Sequence, residues 1–258
     1  MGSNRYIYDY IPREIILGRE SKTIENVRDL KLVGRGIDGI VLRLDKDRVI
    51  KILKDNIELQ KKCNKMTYEK VIKFMDNLDL KRIVQPRDIV YNKDGIYVGY
   101  TMDYIEDVTS SKKKGTPTYR EPGDFTCGDL VDSFNEFEED FAKLNEQKVQ
   151  AKDINDRSYL FSRDFMHLCD MDKYLLVNNP QDINKSRLNY TIARFLCLEM
   201  KKKHEFTKEE LKFLNNWVKT MSNSYSFKKD LEHEIGNDYH EKISDYADEK
   251  AKYIIKHR

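Results

Sequence analysis

The sequence predicts an α+β protein in which an antiparallel sheet precedes a mainly helical part. Three observations predict it. From Leu32 to Tyr104, short apolar and alternating runs are separated by turn residues, the pattern of hairpins. From Asp129 to Arg258, apolar residues recur at three- and four-residue steps, the period of an α-helix. The change of period falls near residue 105, so residues 1–105 form one part and residues 106–258 another. A chain of 258 residues can build one large domain or two small lobes around one cleft.

The first part opens on a mixed, polar stretch in which Thr23 to Leu30 reads as a short helix. Leu32 to Lys51 then reads LVGRGIDGIVLRLDKDRVIK, with Gly34, Gly36 and Gly39 in the spacing G-x-G-x-x-G and Val41 completing G-x-G-x-x-G-x-V. That is a strand, a tight glycine turn and a second strand. A turn at Asp45-Lys46-Asp47 leads into a third strand, Arg48 to Leu53. Glycines let backbone N–H groups approach phosphate oxygens with no Cβ in the way. A dinucleotide-binding turn would need a helix straight after them, whereas here an alternating, β-branched run follows. The third strand sets Lys51 among apolar neighbours, where an ammonium needs a partner or an anionic ligand.

Asp55 to Leu80 has helical spacing and carries Glu69. Ile83 to Tyr91 and Gly95 to Tyr104 read as two strands around the turn Asn92-Lys93-Asp94-Gly95. Residues 107–128 show no period and hold Lys112-Lys113-Lys114, which we read as a solvated loop at the junction. Asp129 to Gln147 is helical, with Leu130, Phe134, Phe137, Phe141 and Leu144 on one face. After Asp172, helical spacing resumes at Leu188 and continues through Phe206 to Met221 and Ser226 to Arg258.

The bulk composition narrows the classes. Charged residues make up 36%, so a heavily charged surface around a globular core is expected. Lys and Arg number 47 against 45 Asp and Glu, a balance that gives no argument for a nucleic-acid partner. No apolar run spans a bilayer, so no membrane partner is expected. Cys63, Cys127, Cys169 and Cys197 form no C-x-x-C pair, which predicts a reducing, cytoplasmic setting. The five histidines form no cluster with metal-ligand spacing.

Five short elements carry a resemblance. They are the glycine turn, Lys51, Glu69, the segment VQAKDINDRSYLF from Val149 to Phe161, and Asp170-Met171-Asp172 at the end of an apolar strand. In that order they resemble the protein kinase superfamily over roughly residues 28–200. The resemblance implies a two-lobed protein-kinase-like fold, with an antiparallel β N-lobe and a mainly helical C-lobe. It implies ATP and Mg²⁺ as cofactors. Gly34, Gly36, Gly39 and Val41 would cover the phosphates, and Lys51, paired with Glu69, would grip them. Met102 matches the gatekeeper, and the backbone of Asp103 and Ile105 matches the adenine-binding hinge. Asp153 matches the catalytic aspartate, with Lys152 beside it as a further cation. Asp170 matches the metal-binding aspartate, with Asp172 and Ser158 as further metal ligands.

The chain also departs from that family. Ala151 replaces a histidine, Ser158 an asparagine and Asp172 a glycine, and Asn189 stands where a helix aspartate is common. The span from Asp172 to Leu188 is short for an activation segment, and no A-P-E is present. The implied function is an ATP-dependent phosphotransferase acting on Ser/Thr hydroxyls of protein. The alternatives are a small-molecule kinase on the same scaffold, or a pseudokinase serving as a nucleotide-binding interaction module. The partner is therefore a nucleotide with a protein or small-molecule hydroxyl acceptor. If Asp170 to Asp172 runs extended, the two carboxylates point the same way.

Overall fold

The computed structural model describes residues 10–36, 39–54, 67–105, 109–110, 127–154, 158–161, 166–169, 171–235 and 239–256. These divide into two compact units. One holds Met1–Leu80, Val84–Glu106 and Cys169–Leu176, and the other Lys81–Ile83, Asp107–Leu168 and Val177–Arg258.

The first unit is an α+β layer. Its strands are β1 (Ile15–Leu17), β2 (Lys22–Ile24), β3 (Leu32–Arg35), β4 (Gly39–Arg43), β5 (Arg48–Leu53), β6 (Pro86–Asn92) and β7 (Tyr97–Asp103). They form a seven-stranded sheet in the order β2-β1-β6-β7-β5-β4-β3, with every pairing antiparallel. The expected helix at Thr23–Leu30 is instead the strand β2 followed by a single 3₁₀ turn, Val27–Asp29. Two β-branched residues in Lys22–Ile24 favour an edge strand beside β1, and only Val27 of the later turn is fully buried.

Local chemistry sets the hairpins. The Asp45 carboxylate accepts the N–H groups of Asp47 (3.0 Å) and Arg48 (2.9 Å), which fixes the β4–β5 turn. Asn92 accepts from Asp94 (3.0 Å) and Ile96 (2.9 Å), and Gly95 takes φ +73° to close the β6–β7 turn. Residues 55–66 lie outside the described residues; helix α1 is Tyr68–Asn77, capped by Thr67. Its buried residues include Val71 and Phe74, and Tyr68 packs against Tyr91 and Tyr97.

The second unit is mainly helical: α2 (Cys127–Glu146), α3 (Gln181–Lys203), α4 (Lys208–Ser222), α5 (Phe227–Ile235) and α6 (Tyr239–Lys256). It also carries β8 (Thr109–Ser110), β9 (Val149–Gln150), β10 (Tyr159–Phe161) and β11 (Met166–Leu168), of which β11, β10 and β8 form one antiparallel sheet. Phe134 and Phe137 of α2 are buried, and Phe134 packs on Phe195 of α3. Tyr159 meets Phe195 edge-on and shares a hydrogen bond with Thr191 (3.0 Å). A capping box of Thr207 and Glu210 starts α4. Among the described residues, no helix is long and apolar enough to cross a membrane.

Candidate functional site

In the first unit, Lys51 occupies the middle of β5 and is 7% exposed. The strand registers set Gly34 opposite Val41, Val41 opposite Lys51, and Lys51 opposite Tyr100. Residues directly opposite across antiparallel strands share a face, so glycine hairpin and lysine lie in one cross-strand row. Alternation puts Ile50 and Ile52 on the other face. There, with Ile40, Leu42, Val90, Ile15 and Leu17, they form the main apolar cluster of this unit. Lys51 is therefore buried on the face away from that cluster. Val49 pairs with Met102, which puts the expected gatekeeper on the Lys51 face.

The glycines divide by role. A Cβ on Gly39 would lie 2.3 Å from the Ile52 carbonyl oxygen, so the sheet itself demands glycine there. Gly99 is held the same way against the Lys51 carbonyl, at 2.1 Å. At Gly34 the nearest atom to an added Cβ is that of Val41, at 3.7 Å, so packing leaves space over this residue. The Gly36 N–H donates to the Gly39 carbonyl (2.9 Å), and the Lys54 ammonium donates to the Gly36 carbonyl (3.0 Å). Ile37 and Asp38 lie outside the described residues.

Glu69 sits exposed in the first turn of α1. Its own backbone N–H and then the Thr67 hydroxyl hold its carboxyl below the ordinary glutamate value, as befits a helix N-terminus. Burial and then the Glu69 charge push the Tyr97 phenol upward. At the end of β7, Asp103 takes both Nε (2.9 Å) and Nη2 (2.7 Å) of Arg87. The Tyr104 N–H donates to the Asp47 carbonyl (2.7 Å), with the Arg43 guanidinium 3.0 Å from the Tyr104 ring centroid. These contacts hold Asp103 and Tyr104. Met171–Lys173 is a 3₁₀ turn in which Met171 is buried, so this segment is not extended and alternation does not align Asp172 with its neighbour. Asp170 lies outside the described residues, as does the side chain of Asp172.

In the second unit, the loop after β9 is held by one side chain. Asn184 of α3 accepts the Ala151 N–H (2.7 Å) and donates to the Val149 carbonyl (2.8 Å) and to Asn145 Oδ1 (2.7 Å). Ala151, expected as a replaced histidine, is fully buried, and the loop needs no imidazole to hold it. Asp153 follows with φ +59°, a left-handed conformation uncommon for a residue with a Cβ. Asp153 and Lys152 are both exposed. Ser158 is 2% exposed and its hydroxyl donates to the Asp153 carbonyl (3.3 Å), closing the loop on itself. Asn189, expected at the helix-aspartate position, instead donates to the Ser224 carbonyl (2.7 Å).

Sequence reading missed two residues. One is Asn184. The other is Asp140 of α2, fully buried, whose carboxylate accepts the N–H groups of Lys81 (2.8 Å), Arg82 (2.7 Å) and Ile83 (2.9 Å). Burial pushes the Asp140 carboxyl above its ordinary value against the pull of those three donors. Its one sequence signal is an acidic residue beside Phe137 and Phe141 on the apolar face of α2.

Asp170, Asp172 and Ser158 are oxygen donors, the chemistry a hard cation such as Mg²⁺ takes. No group of three or more His, Cys, Asp or Glu side chains converges among the described residues. No protein-family model matches the chain, and no curated protein matches it significantly.

Proposed function

We propose that the chain is an ATP-dependent phosphotransferase with a two-lobed, protein-kinase-like fold. The observation that carries the reading is the cross-strand row Gly34–Val41–Lys51, with a buried lysine and room for a side chain at Gly34. A buried ammonium beside a glycine hairpin suits an anionic, phosphate-bearing ligand. The first unit would hold the nucleotide. Lys51 would bind its phosphates, the hairpin at Gly34 would leave room for them, and Met102 would border the adenine. The Ile105 N–H, just past the end of β7, would read an adenine edge.

Asp153 would orient the acceptor hydroxyl and receive its proton. The hydrogen bonds from Asn184 and Ser158 support that role, because they fix the backbone on either side of it. Asp170, with Asp172, would hold Mg²⁺, which when bound offsets the charge of the transferring phosphoryl group. Catalysis would then rest on positioning and charge neutralisation. Lys152 is exposed next to Asp153 and would add positive charge there. The absence of any C-x-x-C pair in the sequence suits a reducing cytoplasm.

The acceptor implied by the resemblance is a Ser or Thr hydroxyl of protein. A small-molecule hydroxyl is the second reading, favoured by one observation. After the 3₁₀ turn Met171–Lys173 comes only the strand Leu175–Leu176 before α3 begins at Gln181. That span is short for a peptide platform. Incubation with labelled ATP and Mg²⁺, first alone and then with a panel of hydroxyl metabolites, separates the readings. Label in protein supports the first, label in a metabolite the second, and nucleotide binding with no transfer to either marks the pseudokinase.

A further inference from the structure

We infer that Asp140 is a positioning residue for the strand that runs into Asp170. The inference rests on the reading of Asp170 as the metal-binding aspartate. Three consecutive backbone N–H groups, from Lys81 to Ile83, converge on one buried carboxylate. Consecutive N–H groups turned to one side make an anion-binding concavity, and here the protein fills it with its own aspartate. Glu136, one turn earlier on α2, pairs with Arg82, and Glu139 pairs with Lys81 at 2.8 Å. The segment is thus gripped by its backbone and by two of its side chains.

The same segment holds a second element on its other edge. The Leu168 N–H donates to the Arg82 carbonyl (2.7 Å), and Ile83 bridges Leu168 in parallel register. Leu168 ends β11, and the chain reaches Asp170 two residues later. Asp140 therefore acts through two hydrogen-bonded steps: it takes the Ile83 N–H and so fixes the Arg82–Ile83 peptide, whose carbonyl fixes the end of β11. Two acceptor oxygens serve the three donors, whereas an amide has one and would turn its NH2 group toward at least one N–H. Phe137 and Phe141, one turn before it and next to it on α2, are buried as well.

The test is Asp140→Asn in the full chain, read by amide hydrogen exchange and by Mg²⁺ titration. Lys81→Pro, which deletes one donor at an exposed position, is the milder companion should Asp140→Asn fail to fold. We expect exchange at Leu168 to quicken at least tenfold while amides within α3 keep the wild-type rate. We expect the half-saturating Mg²⁺ concentration to rise at least threefold, with metal-free adenosine binding unchanged. Unchanged exchange at Leu168 overturns the inference. Faster exchange with an unchanged Mg²⁺ response also overturns it, leaving Asp140 a stability residue. If the wild-type protein itself shows no Mg²⁺-dependent nucleotide response, the phosphotransferase reading fails. The metal role of Asp140 then falls with it, whatever the exchange shows.

Discussion

The Asn184 side chain accepts the Ala151 N–H at 2.7 Å and donates to the Val149 carbonyl at 2.8 Å, joining α3 to the backbone that leads into the loop carrying Asp153. An aspartate could keep the first bond. It would, however, set a carboxylate against two oxygens, the Val149 carbonyl and Asn145 Oδ1. Asn184→Ala should cost about 2–6 kcal/mol, since it strands a buried N–H and a buried carbonyl at about 1–3 kcal/mol each. Asn184→Asp should cost at least as much near neutral pH. Denaturant unfolding of both variants checks this, and a stable Asn184→Asp would show that the donor half of the clasp carries little.

The glycine hairpin should separate stability from ligand binding. Gly39→Ala drives a Cβ to 2.3 Å from a backbone oxygen, and Gly99→Ala to 2.1 Å. Neither oxygen lies at the end of a flexible side chain, so both variants should lose about 1–3 kcal/mol or more. Gly34→Ala meets only ordinary contact at 3.7 Å. It should unfold within about 1 kcal/mol of wild type, as an unstrained glycine replacement does, and yet weaken ATP binding. A Gly34→Ala variant with full ATP affinity would remove Gly34 from the nucleotide site.

Asp248 gives a pH dependence with a definite sign. Lys252 and then His204 hold its carboxyl below the ordinary aspartate value. His204 closes α3 and lies 2.6 Å from Asp248 of α6. A carboxyl with a lowered folded-state value stabilises fully above its unfolded value and loses that contribution as pH falls through the folded value. The gap in Tm between wild type and Asp248→Asn should therefore be widest near neutral pH and close below about pH 4. Added salt should narrow it, because the pair is solvent-facing. A gap that widens on acidification would contradict this account.

Much of the sheet was legible because its signals are local. The glycine spacing, the Asp45 and Asn92 turns and the alternation around Lys51 each fix a neighbour in sequence. Alternation alone also puts Lys51 on the face away from Ile50 and Ile52. What could not be read depends on distant partners. The start of α3 at Gln181 was hidden because its first turn is polar. Apolar spacing first shows at Leu188, so the sequence points to Asn189, not Asn184, on this helix. Asp140 is one acid among many on α2, and only the fold of residues 81–83 distinguishes it. The 3₁₀ turn at Met171–Lys173 is closed locally, by the Tyr174 N–H on the Met171 carbonyl (2.9 Å), and was hidden because the apolar alternation before it reads as a strand running on.

The most direct test of the central claim is phosphoryl transfer from labelled ATP with Mg²⁺, measured for the wild-type protein and for Lys51→Ala at matched folded fractions. The account predicts transfer by wild type and a loss of at least about a hundredfold in the variant, as expected for removal of a phosphate-binding charge from a preorganised site. Unfolding midpoints taken alongside should show the variant folded, since Lys51 lies outside the main apolar cluster. Equal turnover by the two proteins would contradict the account, because no other lysine stands in the row with Gly34 and Val41.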